Sequence, residues 1–293
     1  MPPDDVFQAY KPLLFSIAYN MLGSVMDAED CVQEAFLRWY QASTHGETEA
    51  IHSPKAFLCT IVTRLSIDHL RSARVQREHY VGIWLPEPLI TTDESSVSAM
   101  AELAETLSLA FLRLLEQLSP VERAVFLLRQ VFDYDYAEIA RIVQKSEENC
   151  RQIVRRARQH LGQRRTPYHT TREQQDHILQ QFLHACMSGD MDGLLSLLSA
   201  DIVSYADSGG KAVAARNPII GADRVARYLL GLLAKAPQSY SFRVALVNGQ
   251  PGILNYIDGR PHSIVVLHIM AGQVKEIDVL ANPDKLRSVP PLS

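Results

Sequence analysis

Three helix-start signals crowd the middle of the chain and constrain it more than any other feature. Ser119-Pro120-Val121-Glu122 joins an N-cap hydroxyl, a proline whose missing N–H is harmless in the first turn, and a glutamate placed to reach back to the N-cap amide. Asp135-Tyr136-Ala137-Glu138 repeats the box, and after Ala140, Ile142 and Val143 a break at Gln144-Lys145 precedes Ser146, a third N-cap. The helix that follows carries Ile153, Val154, Ala157 and Leu161 on one side. Helix, short turn and basic helix is the helix-turn-helix pattern, whose second helix enters the major groove. Lys145, Arg151, Arg155, Arg156, Arg158, Arg164 and Arg165 stand against only Glu147 and Glu148, a phosphate-binding footprint inside a chain of net charge −4.

At 293 residues the chain suits two or three domains. It lacks a basic, apolar leader and any apolar run of the roughly 18 to 20 residues a bilayer span needs, which predicts a cytoplasmic protein with no membrane partner. Cys31, Cys59, Cys150 and Cys186 form no C-x-x-C pair and have no histidine at zinc spacing, which predicts reduced thiols and no metal. Upstream, Ala28, Val32, Ala35, Phe36, Trp39 and Tyr40 fall on one helical face as core, opposite Asp27, Glu29, Asp30 and Glu34. Ser53-Pro54 starts another helix through Phe57, Ile61, Leu65 and Leu70. Periodicity then vanishes from Val81 to Ser98, around Trp84-Leu85-Pro86-Glu87-Pro88. Tyr80 to Thr106 holds five acids and no base, so it reads as an extended acidic linker whose tryptophan needs a partner surface.

Beyond Arg164-Arg165-Thr166-Pro167 the pattern changes class. Helices are predicted near Arg172–Met187, Asp190–Leu198 and Ala222–Leu233, a strand near Ile202–Tyr205, and β-rich runs at Tyr240–Val247, Ile264–Ile269 and Val274–Leu280. Helices followed by a mostly antiparallel sheet argue α+β. The predicted divisions are two all-α units at 1–79 and 104–166, a linker at 80–103, an α+β unit at 167–287, and a disordered tail at 288–293.

The run Leu14-Phe15-Ser16-Ile17-Ala18-Tyr19 through Gly23-Ser24 to Asp27-Ala28-Glu29-Asp30-Cys31-Val32-Gln33-Glu34-Ala35-Phe36-Leu37-Arg38-Trp39 resembles region 2 of the extracytoplasmic-function (ECF) sigma factors. Asp135-Tyr136-Ala137-Glu138-Ile139-Ala140 with its basic helix is similar to region 4. A narrower resemblance, to sigma factors of the SigJ type with a fused SnoaL-like (NTF2-like) domain, rests on Trp84-Leu85-Pro86-Glu87-Pro88, Asp207-Ser208-Gly209-Gly210-Lys211 and Asn282-Pro283-Asp284-Lys285-Leu286. Ser208 stands where that pattern has glycine, so a positive φ there would strain the turn.

The resemblance implies two helical sigma domains and an α+β cone, with core RNA polymerase (its β′ coiled coil and β flap) and promoter DNA as partners. Asp27, Glu29, Asp30, Gln33 and Glu34 would dock on the coiled coil. The loop from about Ala42 to Ser53 and the helix presenting Thr63, Arg64, Asp68, Arg71 and Arg74 would read the −10 element, with His45, His52 and His69 as bystanders. Ser146 would start the −35 reader, with Asn149, Arg151, Gln152 and Arg155 toward base edges and Arg156, Arg158, Arg164 and Arg165 toward phosphates. The acidic linker would lie in the RNA exit channel.

The three SigJ-type segments would let the C-terminal domain hold the sigma core closed in place of a dedicated anti-sigma factor, with Asn282–Leu286 as a separate contact. SnoaL-like enzymes use a pocket carboxylate or histidine. Asp201, Asp207, His262, His268 and Asp278 show no pairing in sequence, so the expectation is a regulatory module without catalysis, cofactor or metal. A small-molecule ligand in its pocket stays open, as do a ligand-sensing helix-turn-helix regulator acting without polymerase and a SnoaL-type enzyme with a DNA-binding appendage.

Overall fold

Apolar residues at helical spacing close the first part of the chain into packed helices. The structure, a computed structural model, describes residues 3–44, 51, 53–77, 80–91, 108–161 and 171–292. These fall into two units, one holding the described residues of 3–77 and 111–161, the other 80–91, 108–110 and 171–292. The helices of the first part are α1 (Pro3–Leu22), α2 (Val25–Thr44), α3 (Pro54–Arg77), α4 (Leu109–Leu115), α5 (Pro120–Gln130), α6 (Tyr136–Val143) and α7 (Glu147–His160).

Gly23, at φ 65°, reverses the chain between α1 and α2, and α1, α2 and α3 pack together around Leu14, Tyr19, Val32, Trp39, Leu58 and Val62. Each such side chain contributes about 1.5 to 3 kcal/mol on burial. Tyr40, expected in the core, is half exposed; Trp39 and Ala35 fill that side of α2 instead. Helices α5, α6 and α7 form the second cluster, and within this unit α5 also packs on α1 and α3, and α6 on α3.

All three start signals operate. Ser119 and Asp135 make complete capping boxes with Glu122 and Glu138, and Ser146 accepts from the Asn149 amide. The hydrogen bonds from Ser119 hold the Glu122 carboxyl below the usual carboxylate range. A depressed folded-state pKa stabilises fully above the unfolded value and is lost as pH falls through the lowered one. Ser119→Ala is therefore expected to cost about 1 kcal/mol in urea unfolding at neutral pH, with the difference from the parent shrinking in acid.

In the second unit α8 (Arg172–Ser188), α9 (Met191–Leu197) and α10 (Ala222–Leu233) cover one face of a curved sheet. Its strands are β1 (Ile90–Thr91), β2 (Leu198–Asp207), β3 (Ile219–Ile220), β4 (Tyr240–Val247), β5 (Gln250–Ile257), β6 (Arg260–Met270) and β7 (Gln273–Leu280), in the order β1-β4-β5-β6-β7-β2-β3. Pairing is antiparallel except between β2 and β7. Strand β5 is absent from the sequence reading, because Pro251 and Gly252 weaken a strand signal. The turns that force it are Asn248-Gly249 and Asp258-Gly259, with both residues of each at positive φ as a type I′ hairpin requires.

The opposite face buries Val247, Leu254, Tyr256 and Leu280 against Leu85, Leu286 and Val289. Two expectations are corrected here. Residues 80–91 are not a free linker, since Ile90 and Thr91 extend the sheet beside β4. The tail is not disordered through its described length: Leu292 N–H bonds to Gly259 O (3.0 Å) and Pro290 O accepts from Tyr256 (3.3 Å). In both, an apolar sheet face needs cover from water. Among the described residues no helix is long and apolar enough to cross a membrane, and all four cysteines are free and buried.

Candidate functional site

The Ser146 cap and the burial of Cys150, Ile153, Val154 and Ala157 fix the orientation of α7. Asn149, Arg151, Gln152, Arg155, Arg156 and Arg158 are thereby left on its exposed side. Arg151 bonds Glu147 (2.8 Å) and lies over the Tyr136 ring (5.0 Å), while Arg158 donates to Gln130 Oε1 (2.6 Å). These contacts aim long cationic side chains outward from a rigid helix. Arg164 and Arg165 lie outside the described residues.

On α2, Glu29, Asp30 and Gln33 are exposed, whereas Asp27 faces His69 (3.4 Å) and Glu34 bonds Arg38 (2.7 Å). The sequence reading passed over Met26 and Leu37 and placed Tyr40 in the core, whereas all three are half-exposed apolar residues. Their spacing puts them in one stripe with Asp30 and Gln33, a signal visible once the whole helix is plotted.

The candidate −10 residues on α3 fare unevenly. Asp68 and Arg71 are exposed and paired to each other (3.1 Å). Arg64 donates to the carbonyls of Ile142 (2.9 Å) and Arg141 (3.2 Å), at the C-terminal end of α6. Thr63 corrects its expectation as a −10 base reader: it is wholly buried, and among the described residues its hydroxyl has no hydrogen-bond partner. No base can reach it while the helices keep this packing. The Arg74 side chain, His45 and His52 lie outside the described residues, as does most of the loop before α3.

Arg123 fastens the same seam. Its buried guanidinium donates to Met21 O at the end of α1 (2.7 Å) and Leu115 O at the end of α4 (3.0 Å), and ion-pairs with Glu116 (2.8 Å). Two helix C-termini thus point their carbonyls at one cation, the arrangement the helix dipole favours.

In the second unit the three SigJ-type segments converge on Asp207, which is wholly buried at the end of β2. Its carboxylate accepts from Tyr80 OH (2.5 Å), the Leu85 amide (2.9 Å), the Gly209 amide (3.0 Å) and Lys285 Nζ (2.7 Å). Lys285 also donates to Leu85 O and sits over the rings of Trp84 (4.3 Å) and Tyr80 (5.3 Å). Burial and the neighbouring Asp207 push the Tyr80 hydroxyl up, so it stays a donor. Asn282 donates to Tyr80 OH (2.8 Å), and Lys211 pairs with Asp284, holding that carboxyl below its usual range.

The segment Asn282–Leu286 is therefore not a separate contact. Its 3-10 turn (Pro283–Leu286) closes the same cluster, with Leu286 buried beneath. Gly209 and Gly210 supply φ of 56° and 72°, and a Cβ at Gly209 would stand 2.5 Å from Asn282 Nδ2. Ser208 is not among the residues at positive φ, so its departure from glycine causes no strain. Leu85, Pro86, Glu87 and Pro88 are all buried.

The acid–base candidates do not assemble in the cavity under the helices. Asp201 pairs with Lys275 at the surface, and His262 is exposed. His268 bonds Asp278 (2.8 Å), and these two with Glu276 offer three ligand atoms within 4.8 Å of one another, a donor set suited to a divalent cation. Strand alternation puts His268 and Asp278 on the sheet face away from the helices.

The Sigma-70 region 2 family matches residues 6–75 and the Sigma-70, region 4 family residues 108–161. ECF RNA polymerase sigma factor SigJ of Mycobacterium tuberculosis is 36% identical over 97% of this chain and 93% of that protein. The chain belongs to the ECF RNA polymerase sigma factors. This sigma factor also resembles the "Probable ECF RNA polymerase sigma factor SigI" of the same organism, at 30% identity over 97% of this chain and 95% of that one. The crystal structure of M. tuberculosis SigJ matches it with a TM-score of 0.78 at 34% identity, covering 98% of this chain and 99% of that one. The sigma factor is thus of the SigJ type: helical regions 2 and 4, then an α+β domain with a mixed sheet. Its family is one of polymerase-binding, promoter-directed initiation.

Proposed function

We propose that this sigma factor directs initiation by core RNA polymerase and that its own packing holds it closed until polymerase binds. The single observation that carries this reading is the seam between α1 and α3 on one side and α5 and α6 on the other, fastened by Arg123 and Arg64. Reading −35 and −10 elements together needs the two readers roughly 80 Å apart, about 25 base pairs at about 3.4 Å each. Here the guanidinium of one bundle touches the helix ends of the other. The closed form therefore cannot span a promoter, and Arg64, a −10 candidate, is occupied by α6.

Glu29, Asp30 and Gln33, with the apolar Met26, Leu37 and Tyr40, form the polymerase-docking stripe, flanked by Asp27 and Glu34. Asp68, Arg71, Arg74 and a released Arg64 take the −10 element. Helix α7 takes the −35 element, Asn149, Arg151, Gln152 and Arg155 at bases and Arg156 and Arg158 at phosphates. The SnoaL-like domain modulates in cis by keeping residues 80–91 of the linker on its own sheet through Asp207 and Lys285. In this reading region 2 ends before Tyr80, and the first part of the linker functions with the C-terminal domain. Regulation in cis also makes a dedicated anti-sigma factor unnecessary.

Run-off transcription with purified core polymerase tests the reading, with initiation expected only when both are present. Tight operator binding by the free protein as a symmetric dimer would instead support a stand-alone ligand-sensing regulator. Arg155→Ala is expected to lower promoter affinity by about 1 to 3 kcal/mol and relax preference at one −35 position, measured by competition among single-base promoter variants.

A further inference from the structure

The helix-covered side of the sheet in the second unit encloses a cavity of about 440 Å³, within the roughly 300 to 1,000 Å³ of small-molecule sites. Phe182, Leu229, Ile253, Val265 and Val279 give it an apolar wall. Its polar groups form a connected chain around the buried Asn255: Tyr240 OH donates to Asn255 Oδ1 (2.8 Å), and Asn255 Nδ2 donates to Ser263 Oγ (3.0 Å). That chain keeps a spare N–H on Asn255, a rotatable hydroxyl on Ser263 and free lone pairs on Tyr240.

Two further observations define the occupant. Among the described residues no carboxylate lines the cavity, and its two basic residues, Lys235 and His262, are exposed to solvent. Burial pushes the Cys186 thiol up to about 12, so it is neither charged nor nucleophilic at neutral pH. A cation carried inside would meet no carboxylate, and an anion only the solvent-exposed Lys235 and His262 at the wall; among the described residues no carboxylate–histidine pair lines the cavity to transform a guest. In addition, three apolar lining residues stand in water: Val213 is 99% exposed, Met187 58% and Leu232 45%. Val213 belongs to the loop that directly follows Lys211. Apolar side chains left in solvent at a cavity wall gain cover when an apolar guest enters.

We propose that this cavity binds an uncharged, largely apolar small molecule bearing one neutral hydrogen-bonding group, received by Tyr240, Asn255 and Ser263. This goes beyond the reading of the sigma core and does not depend on it.

The test titrates the full chain with N-phenyl-1-naphthylamine, an uncharged fluorophore with one N–H, and with its 8-sulfonate, the same skeleton carrying an anion. The expected result is saturable one-to-one binding of the amine and at least tenfold weaker binding of the sulfonate. Ala214→Trp, filling the cavity from its half-buried loop, and Val213→Asp, charging a fully exposed wall residue, are each expected to weaken the amine at least tenfold. Ile220→Asp, on an exposed edge strand outside the cavity, is expected to leave it unchanged. No saturable binding by the parent, equal affinity for the sulfonate, or undiminished binding in both cavity variants would overturn the proposal.

Discussion

Lys285→Met is expected to destabilise the C-terminal unit by about 3 to 5 kcal/mol, because it leaves the buried Asp207 carboxylate without its cation. The substitution keeps much of the apolar stem and removes the charge that Asp207, Leu85 O and the rings of Trp84 and Tyr80 share. With the cation gone, residues 80–91 lose their charged anchor to the 3-10 turn and keep only the neutral Asn282–Tyr80 bond to it. If release of the linker carries about 3 kcal/mol of that cost, the balance toward the polymerase-competent form shifts about 100-fold, at 1.4 kcal/mol per tenfold. Urea unfolding reads the first effect and core-polymerase titration the second. Because the unit could lose its fold, Trp84→Ala serves beside it: it removes the cation–π contact and ring packing but keeps the Asp207–Lys285 pair. Its expected effect has the same sign and is smaller, about 1 to 2 kcal/mol. Unchanged polymerase affinity in both variants would remove the linker from regulation.

The second large effect is expected at Arg123. Arg123→Met removes the guanidinium that Met21 O, Leu115 O and Glu116 share in a buried seam, a loss of about 3 kcal/mol. Since Met21 O lies at the end of α1 in region 2 while Arg123, Leu115 and Glu116 all belong to region 4, the loss weakens the join between region 2 and region 4. Lower stability in urea should accompany tighter polymerase binding, a combination that simple loss of fold does not produce. Arg64→Ala, a partly exposed contact of the same seam, is expected to cost about 1 kcal/mol and to raise polymerase affinity less, while also weakening −10 recognition.

Local chemistry made much of this fold legible. Ser119, Asp135 and Ser146 announce their helices because a cap involves residues only three apart, and the helix Ala222–Leu233 and strand Tyr240–Val247 lie where periodicity puts them. Asn248-Gly249 and Asp258-Gly259 were equally local signals for hairpins, but Pro251 and Gly252 masked the strand between them. What stayed hidden depends on long-range contact. Tyr80 meets Asp207 across 127 positions and Asn282 across 202, distances over which no sequence pattern carries geometry. The same holds for Thr63, whose burial follows from its place in the packed unit, and for the tail, which packs only because the sheet leaves an apolar face to cover.

The central claim, that the free sigma core is closed and polymerase opens it, is tested most directly by a spin-label distance between α2 and α7. Arg38→Cys and Gln159→Cys are exposed sites, while the native thiols are buried, with Cys31 raised to about 11 and Cys186 to about 12. Labelling is therefore selective. The expected result is one short distance in the free protein and a distance tens of ångströms longer with core polymerase and promoter DNA. An extended distance in the free protein, unchanged on adding polymerase, would contradict the account.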